Sequence, residues 1–239
     1  VYGDAIDKIV PLNTQLQRMI PFSQAYKVGD KYVVPAALTL EHGISYLGAN
    51  YGVATLESAE AAVYKEAQVN PSGLLLRSSI SYSAADRMAS SKAAFKQWSS
   101  LLVKNMNESI RKHIEVGLLY GQTPLAQVSG SPTTSSNAAT CTIAAADWAE
   151  GLWAGMEGAR VDVWATDGTT NRTNDSTTAA YISAVDFDNR TVTIECANST
   201  DAGNIANTDY IYFDSDFASG GSYNNFAGLK KIATNSGSL

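Results

Sequence analysis

The chain has 239 residues, 45% of them apolar, and a formal net charge of −6, enough apolar content to bury a core and too much for a disordered chain. The charge is uneven: up to Gln122 there are 12 Lys and Arg against 10 Asp and Glu, a net of +2, and beyond it 5 against 13, a net of −8. That split excludes an overall basic nucleic-acid footprint and is compatible either with head-to-side contacts between copies or with two differently solvated surfaces.

In chain order, residues 1–27 hold short apolar pieces broken by Pro11 and Pro21, and read as an extended arm with one helical turn around NTQLQRMI. The opening VYGDAIDKIVP lacks the basic and apolar regions of a signal peptide, and its first residue, Val1, reads as the start of a processed or truncated chain. No apolar run reaches the roughly 18 residues of a membrane helix, so no membrane partner is expected. From VGDKYVVPAALTL the pattern turns to strand, with Gly29-Asp30 as a turn signal before β-rich Tyr32 to Val34. A Gly-rich stretch, HGISYLGANYG, precedes a second extended segment around the turn-like Asn70-Pro71-Ser72-Gly73. Residues 28–82 therefore read as a long hairpin-like excursion with little core of its own.

A long helix is expected from Ser83, where Ser83-Ala84-Ala85-Asp86 fits a capping pattern. Phe95, Trp98, Leu102, Met106, Ile110, His113 and Gly117 follow helical spacing and share one face. Residues 84–120 would span about 55 Å. Gly121 suits a left-handed terminating position, and Pro124 bars resumption. A small polar loop, SGSPTTSSNAAT, comes next. It leads to a short helix around IAAADWAEGLWAGMEG, where Trp148, Leu152 and Trp153 can cluster. Strands follow: ARVDVWAT, with Val161 and Val163 alternating against Asp162 and Trp164, and a hairpin turning at Asp188-Asn189-Arg190 with Val192, Ile194 and Cys196 on one face. DYIYFD is a further strand, and NNFAGLKKIATNSGSL reads as a short helix without an evident tertiary partner.

Residues able to do chemistry are scattered. His42 and His113 are the only histidines; His113 lies on the apolar helix face and reads as packed and hydrogen-bonded rather than catalytic, since catalysis needs a nucleophile and an orienting partner. Asp186 and Asp188 alternate beside a turn, as glycosidase carboxylates sometimes do, but read as solvated. The DGTTNRTND and DSTT segments offer oxygen ligands for calcium without the spacing of an EF-hand loop. Asn107, Asn171, Asn174, Asn189 and Asn198 each begin an N-x-S/T triplet, which matters only in a secreted eukaryotic protein. Cys141 and Cys196 read as ordinary part-buried thiols, with a disulfide between them as the alternative. No phosphate loop, dinucleotide fingerprint or nucleophile elbow occurs. No catalytic, cofactor-binding or metal residue is assigned, no cofactor is expected, and the chain reads as a non-enzyme.

The helix end IEVGLLYGQ, the segment DWAEGLWAGMEGARVDVW, the hairpin VDFDNRTVTIE and the closing NNFAGLKKIATNSGSL stand in an order that resembles the major capsid proteins of tailed bacteriophages with the HK97-type fold. That resemblance implies an α+β fold with an N-terminal arm (1–27), an extended β-hairpin loop (28–82), a spine helix of the peripheral domain (83–121) and a mixed axial and peripheral region (122–239) that looks cut short at its C-terminal end. It implies a homo-oligomer, hexamers and pentamers of an icosahedral virion shell, formed in the bacterial host cytoplasm with scaffolding, portal and decoration proteins as further partners, around DNA held without sequence specificity. Some relatives join subunits through a Lys to Asn isopeptide bond with an acidic helper. Lys65 and Glu66 lie in the loop, but no motif identifies a partner, and a solvated pair is the better reading. Two other readings stand beside the capsid: a nanocompartment shell of the same fold that encloses enzymes, and a β-rich glycan-binding surface or fibre module suggested by the Tyr and Trp content of the back half.

Overall fold

The computed structural model describes residues 14–20, 26–28, 31–42, 44, 58–69, 73–78, 92–173 and 179–234. It is an α+β protein with antiparallel sheets. The chain divides into two units, Pro21–Gly73 and the remainder, Val1–Ile20 with Leu74–Leu239.

The smaller unit is a three-stranded antiparallel sheet of β1 (Tyr26–Val28), β2 (Lys31–Ala37) and β3 (Tyr64–Val69), in that order. Tyr and Val at 32–34 favour extended backbone, and β2 pairs with β3 from Tyr32↔Val69 to Ala37↔Tyr64. The ladder runs on through Leu38 N–H to the Val63 carbonyl at 2.9 Å and His42 N–H to the Glu60 carbonyl at 3.3 Å. Pro35, inside β2, lies beyond the last described β1–β2 pair, Tyr26↔Val33, so among the described residues its ladder partner is Glu66 alone. The expected turns at Gly29-Asp30 and Asn70-Pro71-Ser72, and most of the Gly-rich stretch, lie outside the described residues.

In the larger unit, the turn expected around NTQLQRMI is α1 (Gln15–Met19). The long helix is α2 (Lys92–Tyr120), 29 residues or about 43 Å; its expected start at Ser83 lies outside the described residues. Beyond it come β4 (Ala126–Gln127), β5 (Thr133–Ser135), β6 (Ala138–Thr142), α3 (Glu150–Trp153) and β7 (Val161–Trp164). The chain continues through β8 (Tyr181–Asp186), β9 (Thr191–Glu195), α4 (Ser199–Asn204), β10 (Tyr210–Phe213), β11 (Phe217–Ala218), β12 (Ser222–Tyr223) and α5 (Leu229–Thr234). They form a four-stranded sheet, β5-β6-β9-β8, a three-stranded sheet, β4-β10-β7, and the small β11-β12 hairpin.

Alternation builds the core. Val192 and Ile194 of β9, Ala139 and Cys141 of β6, Ile182 of β8, Val161 and Val163 of β7 and Ile211 of β10 are buried in one cluster around a fully covered Trp153. Each such Val or Ile contributes roughly 1.5–3 kcal/mol. Bridges Val128↔Ile143, just beyond β4 and β6, and Arg160↔Tyr181, at β7 and β8, join the two larger sheets. Trp164, on the opposite face from Val161 and Val163, is covered as well: it meets Phe217 edge-on at 5.0 Å, and Phe217 stacks on Tyr212 at 4.7 Å. Among the residues whose exposure is described, everything buried lies at Glu115 or beyond.

Four expectations change. The helix stops after Tyr120, but the left-handed residue is Gln122 (φ 60°), not Gly121. Gly121 is needed for space instead. The helix around IAAADWAEGLWAGMEG shrinks to the single turn of α3, although Trp148 and Trp153 do stack, at 6.1 Å. The closing helix α5 has a partner, the end of α2, as the Gly228 N–H bonds the Gly121 carbonyl at 2.8 Å. The alternative of a disulfide is removed by register. Cys141 pairs with Val192, and Cys196 N–H bonds the Asn137 carbonyl, so the two lie four residues apart along neighbouring strands, roughly 13 Å. A disulfide needs Cα atoms within about 7 Å. Both thiols are free and buried. Burial is the main cause that raises the Cys141 pKa to about 12 and that of Cys196 to about 11.

Candidate assembly surfaces

The described front residues leave large apolar side chains in water. Leu40 is 75% exposed, Ile44 67% and Tyr64 72% within the smaller unit, and Leu75, in the larger one, is 88% exposed. Strands gain their stability from a packed face, and none of the ribbon residues whose exposure is described, Val33, Pro35, Ala37 and Tyr64 to Glu66, is buried. Exposed apolar surface of this kind marks interaction sites.

From Ser100 onward the apolar face of α2 is only half covered. Leu102, Met106, Ile110 and His113 are intermediate in exposure, Val103 is exposed, and between Ser100 and Tyr120 burial is reached only at Glu115, Val116 and Gly117. The last turns are anchored in the core by two neighbours. Lys112 Nζ donates to the Ala154 carbonyl, and burial lowers its pKa against the opposing pull of Glu157. His113 lies 4.8 Å from the Phe213 ring, and burial followed by the charge of Lys112 pushes it below the ordinary histidine range.

Glu115 interrupts the apolar run Ile114 to Leu119 with a charge, and only 8% of it is exposed. Its carboxylate accepts the N–H of Leu16 at 2.7 Å and of Gln17 at 3.0 Å. These are free N–H groups at the start of α1, where Thr14 provides no side-chain cap. The aligned peptide dipoles favour a negative charge there. Sequence reasoning missed this contact; the one signal was a lone carboxylate within an apolar helical run.

The end of α2 crosses the segment before α5 at three glycines. A Cβ on Gly121 would lie 2.1 Å from the Phe226 carbonyl oxygen, one on Gly228 2.5 Å from the Gly121 nitrogen, and one on Gly117 3.1 Å from the Phe226 ring. Gln122 Nε2 donates to the Asn225 carbonyl at 2.9 Å. Lys230 pairs with Asp147 at 3.0 Å and lies over the Tyr120 ring at 5.3 Å. Phe226, Leu229 and Ile232 remain exposed around this crossing.

The residues singled out for chemistry do structural work or stand in solvent. His42 is exposed. Asp186 holds its own hairpin turn, accepting from the N–H groups of Asp188 at 3.0 Å and Asn189 at 3.2 Å and from Asn189 Nδ2 at 2.7 Å; these bonds, those of Asn189 first, keep it below the ordinary carboxylate range. Asp167 is lowered in the same way by Thr169. Asn171 Oδ1 accepts from Thr173, and Asn198 caps α4 by accepting the Asp201 N–H at 2.9 Å. Lys65 and Glu66 are exposed neighbours on β3, so their side chains point to opposite faces. Residues 174–178, with the whole DSTT segment and the end of DGTTNRTND, lie outside the described residues. Among the described residues no group of three His, Cys, Asp or Glu is placed to hold a metal ion, and no helix is long and apolar enough to cross a membrane.

A buried ion pair also went unforeseen: Arg172 Nε meets Asp209 at 3.1 Å, with the Asp209 side chain 3% exposed. Asp209 accepts the Ala206 N–H at 2.8 Å as well, which makes the pair a brace for the loop entering β10. In comparisons with known proteins, no family model, no curated protein and no solved structure matches the chain.

Proposed function

We propose that the chain is a structural shell subunit, a major capsid protein of the HK97-like type whose copies assemble into an icosahedral phage head enclosing double-stranded DNA. One observation carries the reading: Leu40, Ile44, Tyr64 and Leu75 hold large apolar side chains in water, while among the residues whose exposure is described every buried one lies at Glu115 or beyond. Copies of the chain covering one another's exposed ribbons and helix faces would remove that surface from water. Repeating one set of heterologous contacts about symmetry axes then closes a shell of hexamers and pentamers. The half-covered 29-residue helix supports the same reading, because a stiff rod sets the spacing of such contacts. An acidic back half suits a container that must not grip its genome, since tight phosphate binding requires clustered Lys and Arg.

Negative-stain imaging of the full-length protein tests this. Hollow, symmetric particles that protect DNA from nuclease are expected from infected cells. Particles that enclose a protein cargo instead would favour the nanocompartment, and the absence of particles at any concentration would count against both.

A further inference from the structure

We infer that α1 is a releasable latch, a one-turn segment clasped on the long helix by the carboxylate of Glu115 and able to open without disturbing the core. Three observations converge on it. Five residues are too few to form a stable helix alone, so α1 exists only while something else holds its backbone. The apolar contribution to that hold is small: α1 has no buried residue, and Met19 is 75% exposed. The polar contribution is concentrated, because both carboxylate oxygens of a buried Glu115 are bound by adjacent N–H groups at 2.7 and 3.0 Å. Charge-assisted bonds of this kind are about twice as strong as neutral ones. An element held by one polar clasp and little packing is drawn from the low-stability end of a structure and opens as a unit. Opening releases α1 from α2 and leaves the Glu115 carboxylate free for another N–H donor. The latch is a property of a single chain, whether or not copies of it build a shell.

Hydrogen exchange read by mass spectrometry on the full chain tests the latch. In the wild type, amides of residues 14–20 are expected to exchange through their own opening, faster than those of β6 and β9. A common rate for all three overturns the latch, and needs no variant. In Glu115→Ala, where alanine keeps α2 helical, exchange across 14–20 should rise at least tenfold with β6 and β9 unchanged. An unchanged rate across 14–20, or loss of protection in β6 and β9 together with α1, overturns it equally.

Discussion

Gly121 and Gly228 meet backbone to backbone: the Gly228 N–H donates to the Gly121 carbonyl at 2.8 Å, and a Cβ on either would enter the other's chain segment. At this crossing the end of the long helix meets the entry to the closing helix. Gly121→Ala is therefore expected to destabilise by roughly 1–3 kcal/mol, the range for forced overpacking. Gly203→Ala is the control, since a Cβ there meets nothing within 4 Å and the residue is helical. It should be neutral or stabilising by up to about 1 kcal/mol. Thermal melts should show a lowered midpoint for Gly121→Ala and an unchanged or raised one for Gly203→Ala.

The Arg172–Asp209 pair predicts an asymmetry. Its arginine is 29% exposed and its aspartate 3%, so each deletion leaves a different remnant. Arg172→Ala strands a buried carboxylate and should lose roughly 2–3 kcal/mol, below the ~3–5 of a fully buried pair because water already reaches the guanidinium. Asp209→Asn strands a cation that can turn to solvent and keeps an acceptor for the Ala206 N–H; about 1 kcal/mol is expected. Urea unfolding that ranks the two the other way would contradict the burial argument.

His113 sets a pH dependence. Burial, then Lys112, lowers its native pKa, so the unfolded chain takes up a proton near the ordinary 6.5 or so while the folded chain does not. The unfolded state then binds more protons, and stability rises with pH across that window. Stability is present above the ordinary histidine pKa and lost as pH falls toward the lowered native value. Melting temperatures recorded from neutral to mildly acidic pH should drop in the wild type and drop less in His113→Phe, which retains an aromatic against Phe213. Equal slopes would exclude His113 as the cause.

Local signals were legible in the sequence, and contacts across the chain were not. The stop after Tyr120 and the turn at Asp188 to Arg190 each depend on residues within a few positions, so they appear where expected. The stripe through Leu102, Met106 and Ile110 was visible as a pattern, but spacing cannot say that it stays half covered. Gly121 was read as a conformational stop because the pattern of a helix end is local, whereas its reason lies at Gly228. Glu115 escaped notice because its partners are 98 and 99 residues earlier. Nothing in the sequence near Leu229 announced that α5 packs on the end of α2.

The exposed apolar residues should matter for association and not for folding. Leu40→Ser combined with Leu75→Ser removes two side chains already in water, so the unfolding free energy of the isolated chain should change by no more than about 0.5 kcal/mol. Particle yield should fall sharply. Unchanged yield would show that these surfaces are not the ones covered on assembly.

Sedimentation velocity of the full-length protein, across concentration and salt, tests the shell reading most directly. A boundary of large, uniform particles in exchange with small oligomers is the expected result, and the Leu40→Ser, Leu75→Ser variant should shift it toward the slow species. A chain that sediments only as a monomer under every condition would contradict the account.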